Sequence, residues 1–157
     1  MAQKITPCLW FDERIEEAAN YYARIFNGKV TNLSRYGDAG PMPAGTVLTA
    51  HVEMLGMTFT LLNGGPQFKF SEAVSFYVDC KDQAEVDYYW DSLTADGGEE
   101  SMCGWLKDKY GLSWQIVPEV MAQTVGGPDR AGATRAMQAM LKMRKLIIAD
   151  LEAAYAG

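Results

Sequence analysis

Leu9-Trp10-Phe11-Asp12 and Phe76-Tyr77-Val78-Asp79 carry one pattern twice, at an offset of 67 residues. Working outward, Tyr21-Tyr22 lies as far beyond Phe11 as Tyr88-Tyr89 lies beyond Val78. Phe26 is then answered by Leu93, and Asn27-Gly28 by Asp96-Gly97-Gly98. Each half therefore opens on an alternating apolar segment and continues into a helix closed by a glycine turn. Internal self-similarity of this kind decides the architecture, because each copy is one supersecondary unit.

The halves also end alike, now at an offset of 55 residues. Gly56-Met57-Thr58-Phe59-Thr60-Leu61 matches Gly111-Leu112-Ser113-Trp114-Gln115-Ile116. Both read as a hairpin glycine followed by a strand of period two. The fall in offset means that the second half is about twelve residues shorter in its middle. The piece it lacks corresponds to the turn-rich loop Gly37-Asp38-Ala39-Gly40-Pro41-Met42-Pro43.

These signals predict an α+β chain of two tandem βαβββ modules, whose curled mixed sheets enclose a cleft, with a C-terminal helical tail. Module one spans 1–64, with strands over 5–11, 30–36, 47–54 and 57–62 and a helix over 15–26. Module two spans 73–118, with strands over 73–80, 99–102, 105–107 and 112–117 and a helix over 83–95. The whole of 1–157 is read as one domain. The tail, 119–157, begins with the Gly126-Gly127-Pro128-Asp129 break. Beyond it Met137, Met140, Leu141, Ile147, Ile148, Leu151 and Tyr155 recur at helical spacing, with room for a break near Lys145.

Period-two strands sort their residues onto two faces. Leu9, Phe11, Phe59, Leu61, Phe76, Val78, Trp114 and Ile116 form a uniformly large, apolar set expected to pack under the helices. The opposite set mixes polar and aromatic groups: Thr6, Cys8 and Trp10; Thr58, Thr60 and Leu62; Ser75 and Tyr77; Ser113, Gln115 and Val117. A sheet face of that composition suits a ligand cleft. Its expected lining is Cys8, Trp10, His51, Thr60, Ser75, Tyr77 and Gln115.

Bulk composition narrows the function classes. Net charge is −6, and the 14 Lys and Arg residues are scattered apart from Lys142, Arg144 and Lys145. That argues against a nucleic-acid partner, which needs clustered positive charge. No apolar run approaches the ~18 residues of a membrane span. The first ten residues lack the basic and apolar pattern of a signal peptide. Cys8, Cys80 and Cys103 are an odd number without paired spacing, which points to free thiols and hence to the cytoplasm.

The stretches TPCLWFDERIEEAANYYARIF, TAHVEMLGMTFTLLNGGP, SFYVDC and GWLKDKYGLSWQIVP resemble the vicinal oxygen chelate superfamily, which includes glyoxalase I, extradiol dioxygenases and bleomycin-resistance proteins. Within it they are most similar to PhnB-like proteins, a family catalogued as 3-demethylubiquinone-9 3-methyltransferase. The tail PDRAGATRAMQAMLKMRKLIIADLEAAY is similar to that family's tail as well. The resemblance implies a sheet curled around a cleft, usually in a homodimer, and no single agreed reaction. Methyl transfer from S-adenosylmethionine commonly uses a Gly-rich strand–turn–helix cradle, and no G-x-G-x-x-G stretch occurs here.

Enzymes of the superfamily usually hold one divalent metal through His and Glu on the first and last strands of each module. The positions that resemble those ligands are Thr6, Thr60, Ala73 and Gln115. Only Gln115 has a plausible donor oxygen, and a transition-metal site needs several imidazole, thiolate or carboxylate ligands. The chain has one histidine, so the expectation is no metal and no cofactor. Outside those positions, Cys8, His51 and Glu53 are conceivable as a mixed ligand set. They are also the candidate catalytic groups, Cys8 as a nucleophile and His51 as a general base. Cys8 and His51 each have a plainer alternative, a small buried thiol and a structural histidine.

Three function classes follow: a metal-independent small-molecule-binding protein, an enzyme on the same cleft, and a metal-dependent lyase, isomerase or dioxygenase. The first is preferred. The surplus apolar stripe of the tail, with both sheets already supplied with helices, predicts a homodimer in which the tail covers the partner or a shared sheet edge.

Overall fold

A computed structural model describes residues 3–157; residues 1 and 2, the first of module one, lie outside the described residues. The chain divides into two compact units, one ending at Lys69 and the other spanning Phe70–Gly157. The first holds β1 (Cys8–Phe11), α1 (Ile15–Ile25), β2 (Lys29–Arg35), β3 (Val47–Met54) and β4 (Met57–Asn63). The second holds β5 (Ser75–Cys80), α2 (Gln83–Thr94), β6 (Glu99–Glu100), β7 (Trp105–Lys107), β8 (Ser113–Pro118), α3 (Arg130–Met140) and α4 (Ile148–Ala156). Sheet orders are β1-β4-β3-β2 and β5-β8-β7-β6, so both modules share one topology. In each, the first strand lies parallel to the last, and the remaining pairs are antiparallel.

In the first unit, α1 buries Ile15, Ala18, Ala19, Tyr22 and Ile25, one stripe at helical spacing, against the apolar sheet face of Leu9, Phe11, Val52, Phe59 and Leu61. In the second, α2 buries Val86, Tyr89, Trp90 and Leu93 above Val78, Leu106, Trp114 and Ile116. Asp82 caps α2 by accepting the Glu85 N–H at 2.9 Å, while Glu85 reaches back to accept the Lys81 N–H at 2.7 Å. Gly56 and Gly111, the matched turn glycines, both take positive φ, 79° and 84°. The turn before Gly111 is built on Asp108, only 2% exposed. One of its carboxylate oxygens accepts the Tyr110 and Leu112 N–H groups, and the other accepts the Trp114 indole N–H.

Three expectations need correction. The first and fifth strands start later than predicted, at Cys8 and Ser75; Pro7 has no N–H for a ladder, and Ile5 is exposed. Phe76 is half-buried rather than core, resting tilted on Trp114 with ring centroids 5.6 Å apart. Val117 does not lie on an open face but forms an apolar cluster with Leu146 and Leu151 of the tail.

The tail breaks where expected. Between α3 and α4, the carbonyls of Met143 and Arg144 accept the N–H groups of Cys103 and Gly104. The Leu146 carbonyl accepts from the Gln83 side chain, whose oxygen in turn accepts the Ile148 N–H. Lys145 bridges Asp87 and Asp91, both at 3.1 Å. Much of the tail's apolar surface is thus covered within its own unit. Met137 and Leu141 remain exposed.

Candidate functional site

Strand register places the predicted lining residues on one face of each sheet. In the first sheet, Thr60 of β4 lies between Cys8 of β1 and His51 of β3, making one cross-strand row. Trp10 and Leu62 are paired in the next row, and Glu53 faces Thr58 on the other side. Cys8 is exposed, and Thr60 and His51 are half-buried. Nothing among the described residues bonds the His51 imidazole. Trp10 is held more firmly than a ligand wall requires: its indole N–H donates to the Gly65 carbonyl at 2.8 Å, and its ring meets Phe68 edge-on at 4.9 Å. A Cβ at Gly64 would come within 2.3 Å of that ring, so only glycine fits beneath it.

In the second sheet, Gln115 of β8 lies between Tyr77 of β5 and Trp105 of β7. Ser113 lies between Ser75 and Lys107 in the neighbouring row. Gln115 donates through Nε2 to the Ser75 hydroxyl at 2.9 Å. Ser113 is 1% exposed, and its hydroxyl has no hydrogen-bond partner. Lys107 pairs with Glu72 at 2.5 Å, which raises the Lys107 pKa and lowers that of Glu72. Burial, and then the nearby Asp79 charge, hold the Tyr77 phenol above its ordinary value. Trp105 is absent from the lining expected from the sequence. Reading the β7–β8 hairpin back from its Asp108–Gly111 turn would have set it opposite Gln115.

The residues at the superfamily's ligand positions do not fit a divalent metal. Thr6 and Ala73 are exposed residues ahead of their strands, and Ala73 has no donor atom. Thr60 offers a neutral hydroxyl and Gln115 one amide oxygen. Cys8, His51 and Glu53 do not converge either: Glu53 is paired with Lys29 at 3.1 Å. Among the described residues no three His, Cys, Asp or Glu side chains are grouped to share an ion. One concavity of the first unit, of about 370 Å³, lies between Glu13, Ile15, Met42 and Asn63. Among the described residues no helix is long and apolar enough to cross a membrane.

Comparison with known proteins agrees with this architecture. The profile of a family described as 3-demethylubiquinone-9 3-methyltransferase matches residues 3–117. No curated protein sequence matches the chain. Among solved structures, a PhnB protein from Bacillus cereus, provisionally named 3-demethylubiquinone-9 3-methyltransferase, is 35% identical. The match covers 74% of this chain and 99% of that one, with a TM-score of 0.67. Protein PA1353 from Pseudomonas aeruginosa is 20% identical over 75% of this chain and 98% of its own, at a TM-score of 0.63. The fosfomycin resistance protein FosX from Mesorhizobium loti, 10% identical over 73% of this chain and 89% of its own at a TM-score of 0.52, shares the fold alone. The family match stops at residue 117, ahead of the tail. With four-stranded sheets of one topology in both halves and a family match over most of its length, the chain belongs to the PhnB-like 3-demethylubiquinone-9 3-methyltransferase family.

Proposed function

We propose that the chain is a small-molecule-binding protein that works without a metal, its ligand resting on the polar sheet faces. One observation carries this reading. The helix-side face of each sheet is almost wholly buried and apolar, whereas the opposite face holds half-buried polar groups with open hydrogen-bonding capacity, among them His51 and the Gln115 carbonyl. Polar atoms left open next to aromatic side chains are what a small-molecule site uses for orientation and contact area. Net charge and composition support a cytoplasmic protein with neither nucleic acid nor membrane as partner. A homodimer is supported by the family resemblance and by Ile5 and Val74, exposed apolar residues just ahead of the edge strands β1 and β5. Thermal-shift screening of metabolites, antibiotics and quinone-like compounds, with and without a chelator, tests it. Compounds that raise the melting temperature equally in both conditions support the proposal, and stabilisation that disappears with chelator opposes it.

The row Cys8–Thr60–His51 favours a second reading, an enzyme on the same face. Two strand spacings, about 10 Å, separate the Cα atoms of Cys8 and His51. Thiol and imidazole would therefore act on a molecule lying between them. Loss of turnover in both Cys8→Ser and His51→Gln, with ligand affinity retained, would favour this reading over simple binding.

A further inference from the structure

We propose that the face of β5, β8 and β7 takes a flat, uncharged ring whose edge carries a hydrogen-bond donor beside an acceptor, held between Tyr77 and Trp105 above Gln115. This rests on the reading of that face as a ligand site and adds the walls, the floor and the chemistry of the ligand.

The walls follow from register. Tyr77 and Trp105 flank Gln115 on the two neighbouring strands and point to the same side. Adjacent strands are about 4.8 Å apart, which puts the two aromatic residues about 10 Å apart at their Cα atoms. Stacked rings sit with centroids about 4.5–7 Å apart, so one inserted ring can touch both walls and two cannot. Tyr77 is 54% exposed and Trp105 half-buried, so both have ring surface left to cover. Trp10 does not serve this purpose, because its N–H is committed to Gly65 and its ring is packed over Gly64.

The floor follows from hydrogen-bond valence. Gln115 spends an amide proton on Ser75, which leaves its carbonyl oxygen as an acceptor. Ser75 accepts that proton and keeps its own O–H to donate. Side by side, the two ask a ligand for one donor and one acceptor. Ser113 shares this face by strand parity, but its hydroxyl is sealed beneath its neighbours, so the contact points of the floor are Gln115 and Ser75.

The charge of the ligand follows from the surroundings. Lys107 is neutralised by Glu72 and also faces Glu99 across the β6–β7 pair. Asp79 stands two residues beyond Tyr77 on the same face and is exposed to solvent. An anion meets surplus negative charge here, and a cation finds no desolvated carboxylate to justify its own desolvation.

The test uses the full-length, isotope-labelled protein and three probes. 2-Quinolinone is a flat ring with an N–H beside a C=O, quinoline is flat with an acceptor only, and δ-valerolactam has the same edge without a flat ring. Titration with 2-quinolinone is expected to shift the Trp105 indole N–H and the amides of Tyr77 and Gln115. Tyr77→Ala, at an exposed position that leaves the fold intact, should weaken binding about tenfold, as should exchanging the probe for δ-valerolactam. Ser75→Ala removes the floor's donor and should weaken 2-quinolinone and quinoline alike, and in the parent quinoline should bind more weakly than 2-quinolinone because it leaves the Gln115 carbonyl unmet. The slot is overturned if 2-quinolinone shifts none of these signals, or if Tyr77→Ala binds it equally well. Should that happen while other compounds still stabilise the protein or shift Cys8, His51 and Thr60, small-molecule binding stands and only the ring slot falls.

Discussion

Gln115 donates to Ser75 diagonally across the parallel β5–β8 pair, and the bond joins two half-buried residues. A neutral hydrogen bond of this kind contributes about 0.5–1.5 kcal/mol to stability, so Gln115→Ala should unfold in urea about 1 kcal/mol more easily than the parent. Its effect on ligand affinity should be larger, because the floor loses its acceptor. A compound that stabilises the parent should bind the variant about tenfold more weakly. Equal affinity with equal stability would make the pair a structural bond only.

The three thiols should react in order of exposure. Burial, reinforced by Glu85, pushes the Cys80 thiol up to about 12. Near pH 8 it is almost entirely protonated and covered, and the thiolate is the reactive form. A thiol-specific disulfide reagent should modify exposed Cys8 first, half-buried Cys103 later, and Cys80 only on unfolding. The linkage has a definite sign. The folded pKa of Cys80 lies above its unfolded value of about 8.5, so its contribution is complete below that pH and is lost as pH rises toward the folded value. Stability measured in urea should therefore fall above about pH 8.5, and Cys80→Ala should flatten that fall.

How much of this was legible beforehand depends on the kind of signal. The repeated Leu9-Trp10-Phe11-Asp12 and Phe76-Tyr77-Val78-Asp79 segments mark matching strands because side-chain alternation is local. The break near Lys145 was visible as a lapse in helical spacing. Trp105 was overlooked because its place opposite Gln115 depends on hairpin register, a pairing between residues distant in sequence. Val117 was assigned to the polar face by parity. Its true surroundings, Leu146 and Leu151, come from a tail whose apolar spacing announces a face to bury and says nothing of what will bury it.

Phe76 and Trp114 face each other across β5 and β8 but differ in burial. Trp114 is 3% exposed and donates its indole N–H to buried Asp108, so Trp114→Ala should cost about 3–5 kcal/mol in denaturant unfolding. Half-buried Phe76 gives up less apolar area, and Phe76→Ala should cost about 2 kcal/mol. Equal losses for the two would show Phe76 to be part of the core after all.

The tail's main contact is tested at Leu146, which is fully buried in the cluster with Val117 and Leu151. Leu146→Ala should destabilise by about 2–5 kcal/mol while light scattering reports the parent's particle size. Truncation after Gly126 would uncover Val117 and should yield insoluble or readily unfolded protein. A Leu146→Ala variant of parental stability but altered subunit number would instead place this stripe between subunits.

The most direct measurement is chemical-shift mapping of a stabilising compound on chelator-treated, full-length protein. The account predicts saturable shifts on the polar face of a sheet, at Cys8, His51 and Thr60 in the first or at Tyr77 and Gln115 in the second, unchanged when manganese or zinc is added back. Shifts that appear only after metal is restored, or that fall on the helix-side residues of either sheet, would contradict it.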